Sequence, residues 1–103
     1  MMYGLQDTEI QKIQSVLAKY PEVDEAVLYG SRAKGNYKPY SDIDLTLKGS
    51  PTLDSSLRCR IDFELDDLLL PYFMDLSVFS MLRNPELIEH INRAGKILYA
   101  KQN

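Results

Sequence analysis

Cysteine is nearly absent from this chain: Cys59 is the only one. An intramolecular disulfide is therefore impossible, and a cysteine-rich zinc site is excluded. That usage points to a reducing, cytoplasmic setting. Positive charge is not in excess either. The formal net charge is −3, which argues against a general nucleic-acid binder but leaves room for a single phosphate pocket. Long apolar runs are missing. The longest cluster, Leu68 to Met74, is short and broken by Pro71, far below the roughly 18–20 residues of a membrane span. The N-terminal segment Met1 to Asp7 has no basic region leading into an apolar stretch, so no signal peptide is expected. Repeats, low-complexity tracts and linkers are absent as well.

What remains is an ordinary globular balance, 45% apolar and 26% charged over 103 residues, and a single domain spanning 1–103 is expected. Helical spacing of Ile10, Ile13, Leu17 and Tyr20 predicts a helix over 8–20, with Thr8 and Gln11 as a capping box. A short strand is predicted over 25–29, ending at Gly30. Ser31 to Lys34 starts a helix, and Gly35 to Ser41 is loop. Residues 42–48 alternate, with Ile43, Leu45 and Leu47 on one face and Asp42, Asp44 and Thr46 on the other. A second long helix is predicted over 53–70, with Leu57, Ile61, Leu65, Leu68 and Leu69 on its buried face. Residues 74–79 alternate again. Asn84-Pro85 is a helix start, Leu87, Ile88 and Ile91 its buried face, and Gly95 its stop. Residues 96–100 form a short strand or turn. The order implies an α/β (α+β) domain with a small central sheet flanked by helices. The sheet should be mixed, because the 35–41 loop is short for a crossover helix.

Two segments carry chemistry. At the first, a strand ends at Gly30 and Ser31 opens a turn of helix. Glycine permits close backbone approach to a ligand. Free N–H groups and the Ser31 hydroxyl suit phosphate oxygens, and Arg32 or Lys34 adds positive charge. Alone, this reads as a tight strand-to-helix turn with surface cations. At the second, Asp42 and Asp44 lie two apart in a strand pattern, so both carboxylates project from one face. Such like charges repel unless a cation lies between them. Hard oxygen ligands favour Mg2+ or Mn2+. Alone, the pair is equally a solvated strand face. Together, a phosphate cradle beside a carboxylate pair is the arrangement of metal-assisted phosphoryl and nucleotidyl transfer.

The string Gly30-Ser31-Arg32-Ala33-Lys34-Gly35-Asn36, a short spacer, then Ser41-Asp42-Ile43-Asp44-Leu45 resembles the signature of the DNA polymerase beta-type nucleotidyltransferase superfamily, in particular its minimal nucleotidyltransferase (MNT) branch. The resemblance covers nearly the whole chain, and it implies a nucleotidyltransferase-like fold. It implies a third carboxylate on a neighbouring strand, for which Asp75 fits. Asp62, Asp66 and Asp67 are competitors, but they lie in a helical pattern. It further implies Asp42, Asp44 and Asp75 as catalytic metal ligands, Gly30, Ser31, Arg32, Gly35 and Ser41 as nucleotide-binding residues, ATP as substrate and Mg2+ as cofactor.

Larger members of the superfamily carry an added acceptor-binding domain, which this chain lacks, so the acceptor site should be shared with another protein. The resemblance implies a helical HEPN-domain toxin as that partner. Transfer of AMP to a toxin tyrosine would make the chain an antitoxin. The alternative is neutralisation by complex formation without catalysis; transfer to a small molecule is a third reading. His90 reads as a surface or capping residue and Cys59 as an ordinary helix residue. Tyr37, Lys38 and Tyr40 either touch nucleotide or partner or are plain exposed loop. Residues 68–73 read as core, with part available to a protein interface.

Overall fold

A computed structural model describes residues Met1–Gln102. Four strands, β1 (Val23–Tyr29), β2 (Ile43–Gly49), β3 (Met74–Val78) and β4 (Lys96–Ala100), form one sheet in the order β3-β2-β1-β4. β1 runs antiparallel to β2 and β4, while β2 and β3 are parallel. The sheet is mixed for the expected reason. A short loop allows only the antiparallel β1–β2 return, and the parallel β2–β3 pair is joined by a full crossover helix. The helices are α1 (Asp7–Leu17), α2 (Ser31–Lys34), α3 (Ser55–Asp66) and α4 (Pro85–Ala94), with one 3-10 turn at Phe79–Met81. No described helix is long and apolar enough to cross a membrane.

The two faces of the sheet differ. Ala26 and Leu28 of β1, Ile43, Leu45 and Leu47 of β2, and Leu76 and Val78 of β3 join Ile13, Leu17, Ile61 and Leu65 in the main core. This face is covered by α1 and α3. On the other face Val27 and Tyr29 pack against Ile91 of α4 in a smaller cluster. At roughly 1.5–3 kcal/mol per fully buried aliphatic or aromatic side chain, the larger cluster dominates the stability. Its strand members alternate as the sequence requires.

Several boundaries move, each for a local reason. α1 is capped at Gln6, with the Glu9 carboxylate accepting the Gln6 N–H at 2.8 Å, so the box forms two residues before the expected Thr8–Gln11 pair. α1 ends at Leu17, yet Tyr20 stays buried. α3 begins after Asp54, whose side chain accepts the Leu57 N–H, and stops at Asp66 instead of running to 70. Leu69 there has φ 55, a left-handed turn that ends the helix before Pro71. Leu69 and Phe73 are 86% and 79% exposed, so the expectation that 68–73 is core holds only for Leu68, Leu70 and Tyr72, which pack against it. α4 keeps its predicted start, with Asn84 capping the Glu86 and Leu87 N–H groups. Residues 96–100 are strand, and Phe79 leaves β3 for the 3-10 turn.

Candidate active site

Strand register builds the site. Tyr29 pairs with Asp44 across β1–β2, and Asp44 pairs with Asp75 across β2–β3. The three side chains form one row on the face opposite the main core. Adjacent strands are roughly 4.8 Å apart, so the Asp44 and Asp75 carboxylates are near neighbours. α4 covers the β1 half of this face through Ile91. Over β2 and β3 the row is open only in part: Asp75 is exposed and Asp44 half-buried. Thr46 and Ser77 continue the pairing one step further along, and the Ser77 hydroxyl donates to Thr46 Oγ1 at 2.9 Å. That bond satisfies a fully buried threonine.

Asp44 is half-buried; Asp42, just before β2, and Asp75 are exposed. Burial raises the Asp44 pKa above the usual carboxylate range, and the charges of Asp75 and Asp42 raise it further. Burial likewise raises the pKa of the Tyr29 phenol, with Asp75 and Asp44 adding to it and Ser77 opposing it. A hard divalent cation among these oxygens would relieve the repulsion, so the donor set fits Mg2+ or Mn2+. Among the described residues no three carboxylate, histidine or cysteine side chains already converge as a metal cage. Like charges on adjoining strands favour that divergence.

Gly30 is tied to this row. Its φ is 77, and a Cβ there would run into the Asp44 carboxylate, meeting Oδ2 first and Cγ at 3.3 Å. Only glycine fits both the torsion and the space. Its N–H points to His90 Nε2 at 3.4 Å, and the His90 ring stands edge-on to Tyr29, with centroids 6.4 Å apart. His90 is therefore beside the site, contrary to its reading as a surface or capping residue. Helical spacing from Leu87, three residues earlier, places it near the buried face of α4; nothing in the sequence places α4 over the carboxylate side of the sheet. Tyr29, too, lies beside Asp44 in the row. Its place immediately before Gly30 was the available signal.

Arg32 is turned inward. It is 1% exposed. Its Nε and Nη2 donate to the Ser41 carbonyl at 3.1 and 2.8 Å, Nη2 also reaches the Pro39 carbonyl at 3.3 Å, and Nη1 donates to the Tyr3 carbonyl at 3.0 Å. Tyr37 and Tyr72 lie against its guanidinium at 5.3 and 4.6 Å. Those donors hold the loop that leads into Asp42, and they leave Arg32 no free face for a phosphate. Ser41 serves the same loop: its hydroxyl accepts the Lys38 N–H at 2.7 Å. Gly35, with φ 89, caps α2 in a left-handed turn and has open space around it. Ser31 is half-buried at the start of α2, and Lys34 is exposed. Gly30, Asp44 and Asp75 are thus neighbours through strand register and close packing, with Asp42 just before β2 and Ser31 opening α2, while Arg32, Gly35 and Ser41 shape the adjoining loop.

A family model described as "Polymerase beta, Nucleotidyltransferase" matches residues 11–103. The chain belongs to this nucleotidyltransferase family. Among solved structures, this nucleotidyltransferase is similar to a chain of a toxin–antitoxin complex crystallised with AMP-PNP, at 26% identity and a TM-score of 0.72, over 90% of this chain and 74% of that one. A chain from a complex of a tri-AMPylated Shewanella oneidensis HEPN toxin with its MNT antitoxin matches at 24% identity and a TM-score of 0.70, covering 95% and 75%. A putative nucleotidyltransferase from Sulfolobus solfataricus shares the fold at 16% identity and a TM-score of 0.51, covering 97% and 89%. No curated protein matches the chain.

Proposed function

We propose that this nucleotidyltransferase moves AMP from ATP to a hydroxyl of a partner protein, a tyrosine of a HEPN-type toxin, and acts as its antitoxin. The observation that carries the reading is the row Tyr29–Asp44–Asp75 with Gly30 and Ser31 at its end. Similarity to chains of toxin–antitoxin complexes, one with AMP-PNP and one with an AMPylated toxin, supports the choice of nucleotide and partner.

Asp42, Asp44 and Asp75 would hold Mg2+, or Mn2+, which when bound supplies positive charge to the phosphates. The Ser31 hydroxyl and the free N–H groups that open α2 would face the β- and γ-phosphates, with the Gly30 N–H turned to His90. Asp75 is exposed, so it can receive the proton of an incoming hydroxyl. The acceptor oxygen bonds to the α-phosphorus as the bond to the pyrophosphate oxygen breaks, and pyrophosphate departs. The exposure of Asp75 on the outer strand suits a hydroxyl carried by a protein surface.

The test is to incubate the chain with the toxin, α-labelled ATP and Mg2+, then weigh both proteins. Label and one or more AMP masses should appear on the toxin, and Asp44→Asn should abolish both. Equal protection against the toxin by wild type and Asp44→Asn would instead assign neutralisation to complex formation.

A further inference from the structure

β3 is an outer strand of the sheet, and the segment entering it leaves apolar surface uncovered. Of the three phenylalanines in the chain, Phe63 on α3 and Phe73 before β3 are 73% and 79% exposed. Both line one groove of about 370 Å³ between α3 and the start of β3. Nearby Leu69 is 86% exposed and holds φ 55. Neither its burial nor its turn conformation favours leucine there.

The groove is acidic. Asp62 and Asp66 line it, and no lysine or arginine does. Asp62 has a loose ion pair with Arg58 at 3.7 Å. Asp66 has no ion-pair partner among the described residues, and exposed Asp67 follows it.

The groove lies on the α3 side of the sheet and the carboxylate row on the other, with the β3 edge between them. The Phe73 carbonyl accepts the Ile43 N–H at 2.8 Å, directly between Asp42 and Asp44 in sequence, and Asp75 lies two residues further along the same strand. Tyr72, another wall, rests against Arg32, which holds the Ser41 carbonyl. A protein that brings a hydroxyl to Asp75 lies across the β3 edge and meets this groove.

We propose that the groove seats the acceptor protein, through an apolar side chain flanked by lysine or arginine. The proposal rests on the nucleotidyl-transfer reading above. A second copy of this chain is the poorer occupant, because its own net charge is −3 and the groove is acidic.

The test uses the full chain, the HEPN-type partner and two variants, Phe63→Ser/Phe73→Ser and Asp66→Lys. These side chains are exposed, so thermal melts should match wild type. The affinity of the double variant for the partner should fall roughly tenfold or more, and that of Asp66→Lys roughly threefold or more. Affinity for AMP-PNP with Mg2+ should stay within about twofold of wild type. Partner affinity unchanged in both variants overturns the proposal. Self-association of the chain that disappears in the double variant, with partner affinity unchanged, also overturns it and makes the groove a self-interface. Wild type that transfers AMP while the variants bind and transfer equally well sinks the groove alone. Wild type that binds the partner without transfer, while the variants bind weakly, sinks the transfer reading alone.

Discussion

Gly30 and Asp44 constrain one another. A side chain at position 30 needs space that the Asp44 carboxylate fills, in a backbone conformation that L-residues avoid. Gly30→Ala should therefore lower stability by about 1–3 kcal/mol and disturb the carboxylate; urea melts and AMP transfer would report the two effects. Asp44→Asn should separate them. The carboxyl pKa of Asp44 is raised on folding, so its ionisation opposes folding as pH rises through that value, and at neutral pH its charge destabilises the metal-free fold. Removing the charge should add on the order of 0.5 kcal/mol after solvent screening, or roughly 2–4 °C in Tm. The same change should cost transfer about a hundredfold or more. A melt in EDTA that shows Asp44→Asn less stable than wild type would contradict this account. Arg32 acts differently, through three backbone carbonyls. Arg32→Met should destabilise by about 2–4 kcal/mol, and Arg32→Lys should not restore it, because an ammonium cannot reach that fork of acceptors.

At the scale of elements, α4 decides the shape of the site. It covers β1 and leaves Asp75 on β3 exposed, and it carries His90 to the Gly30 N–H. Asn84 starts it and Pro85 occupies its first turn. Its close end is Gly95, where a Cβ would meet the Ile91 carbonyl and Val27 Cγ1, each at 2.5 Å. Asn84→Ala should reduce stability by roughly 1 kcal/mol, with Asn84→Asp close to wild type, since either side chain caps the free N–H groups. Chemical denaturation measures this directly. If Asn84→Ala left the midpoint unchanged, the cap would be idle and another contact would hold the helix.

Across the whole molecule, α1 and α3 are tied together where they lie under the sheet. The Tyr20 hydroxyl donates to Glu64, and Lys19 Nζ pairs with the same carboxylate at 3.0 Å. Burial, with the Glu64 bond and charge, pushes the Tyr20 pKa up to about 12 from 10.0. A phenol raised in this way favours the fold below its unfolded value, and that contribution is lost as pH rises through the folded value. Stability should therefore decline between pH 10 and about 12. Tyr20→Phe should be less sensitive across that window, as alkaline melts of the two proteins would show. The Glu64 pKa is lowered, first by the Tyr20 bond and then by Lys19, so its contribution is lost on the acid side instead.

Alternation in β2 and β3, the glycine at the end of β1 and the Asn-Pro start of α4 were legible in the sequence, because each depends on neighbours one to four residues away. So was the pairing of a glycine–serine turn with an Asp-x-Asp strand, which points to Gly30, Ser31, Asp42 and Asp44 as candidates. Asp75 followed from its break in an apolar pattern and from family resemblance. Which face α4 covers was not legible, and so neither was His90, since helix placement depends on contacts with residues some sixty positions away. Arg32 reads on paper as a cation for phosphate. Only the fold shows its donors turned to the carbonyls of Tyr3, Pro39 and Ser41 and its charge held between two tyrosine rings. Local periodicity determined the elements and the residue types of the site; long-range packing decided which of those residues line the carboxylate row and which shape the adjoining loop.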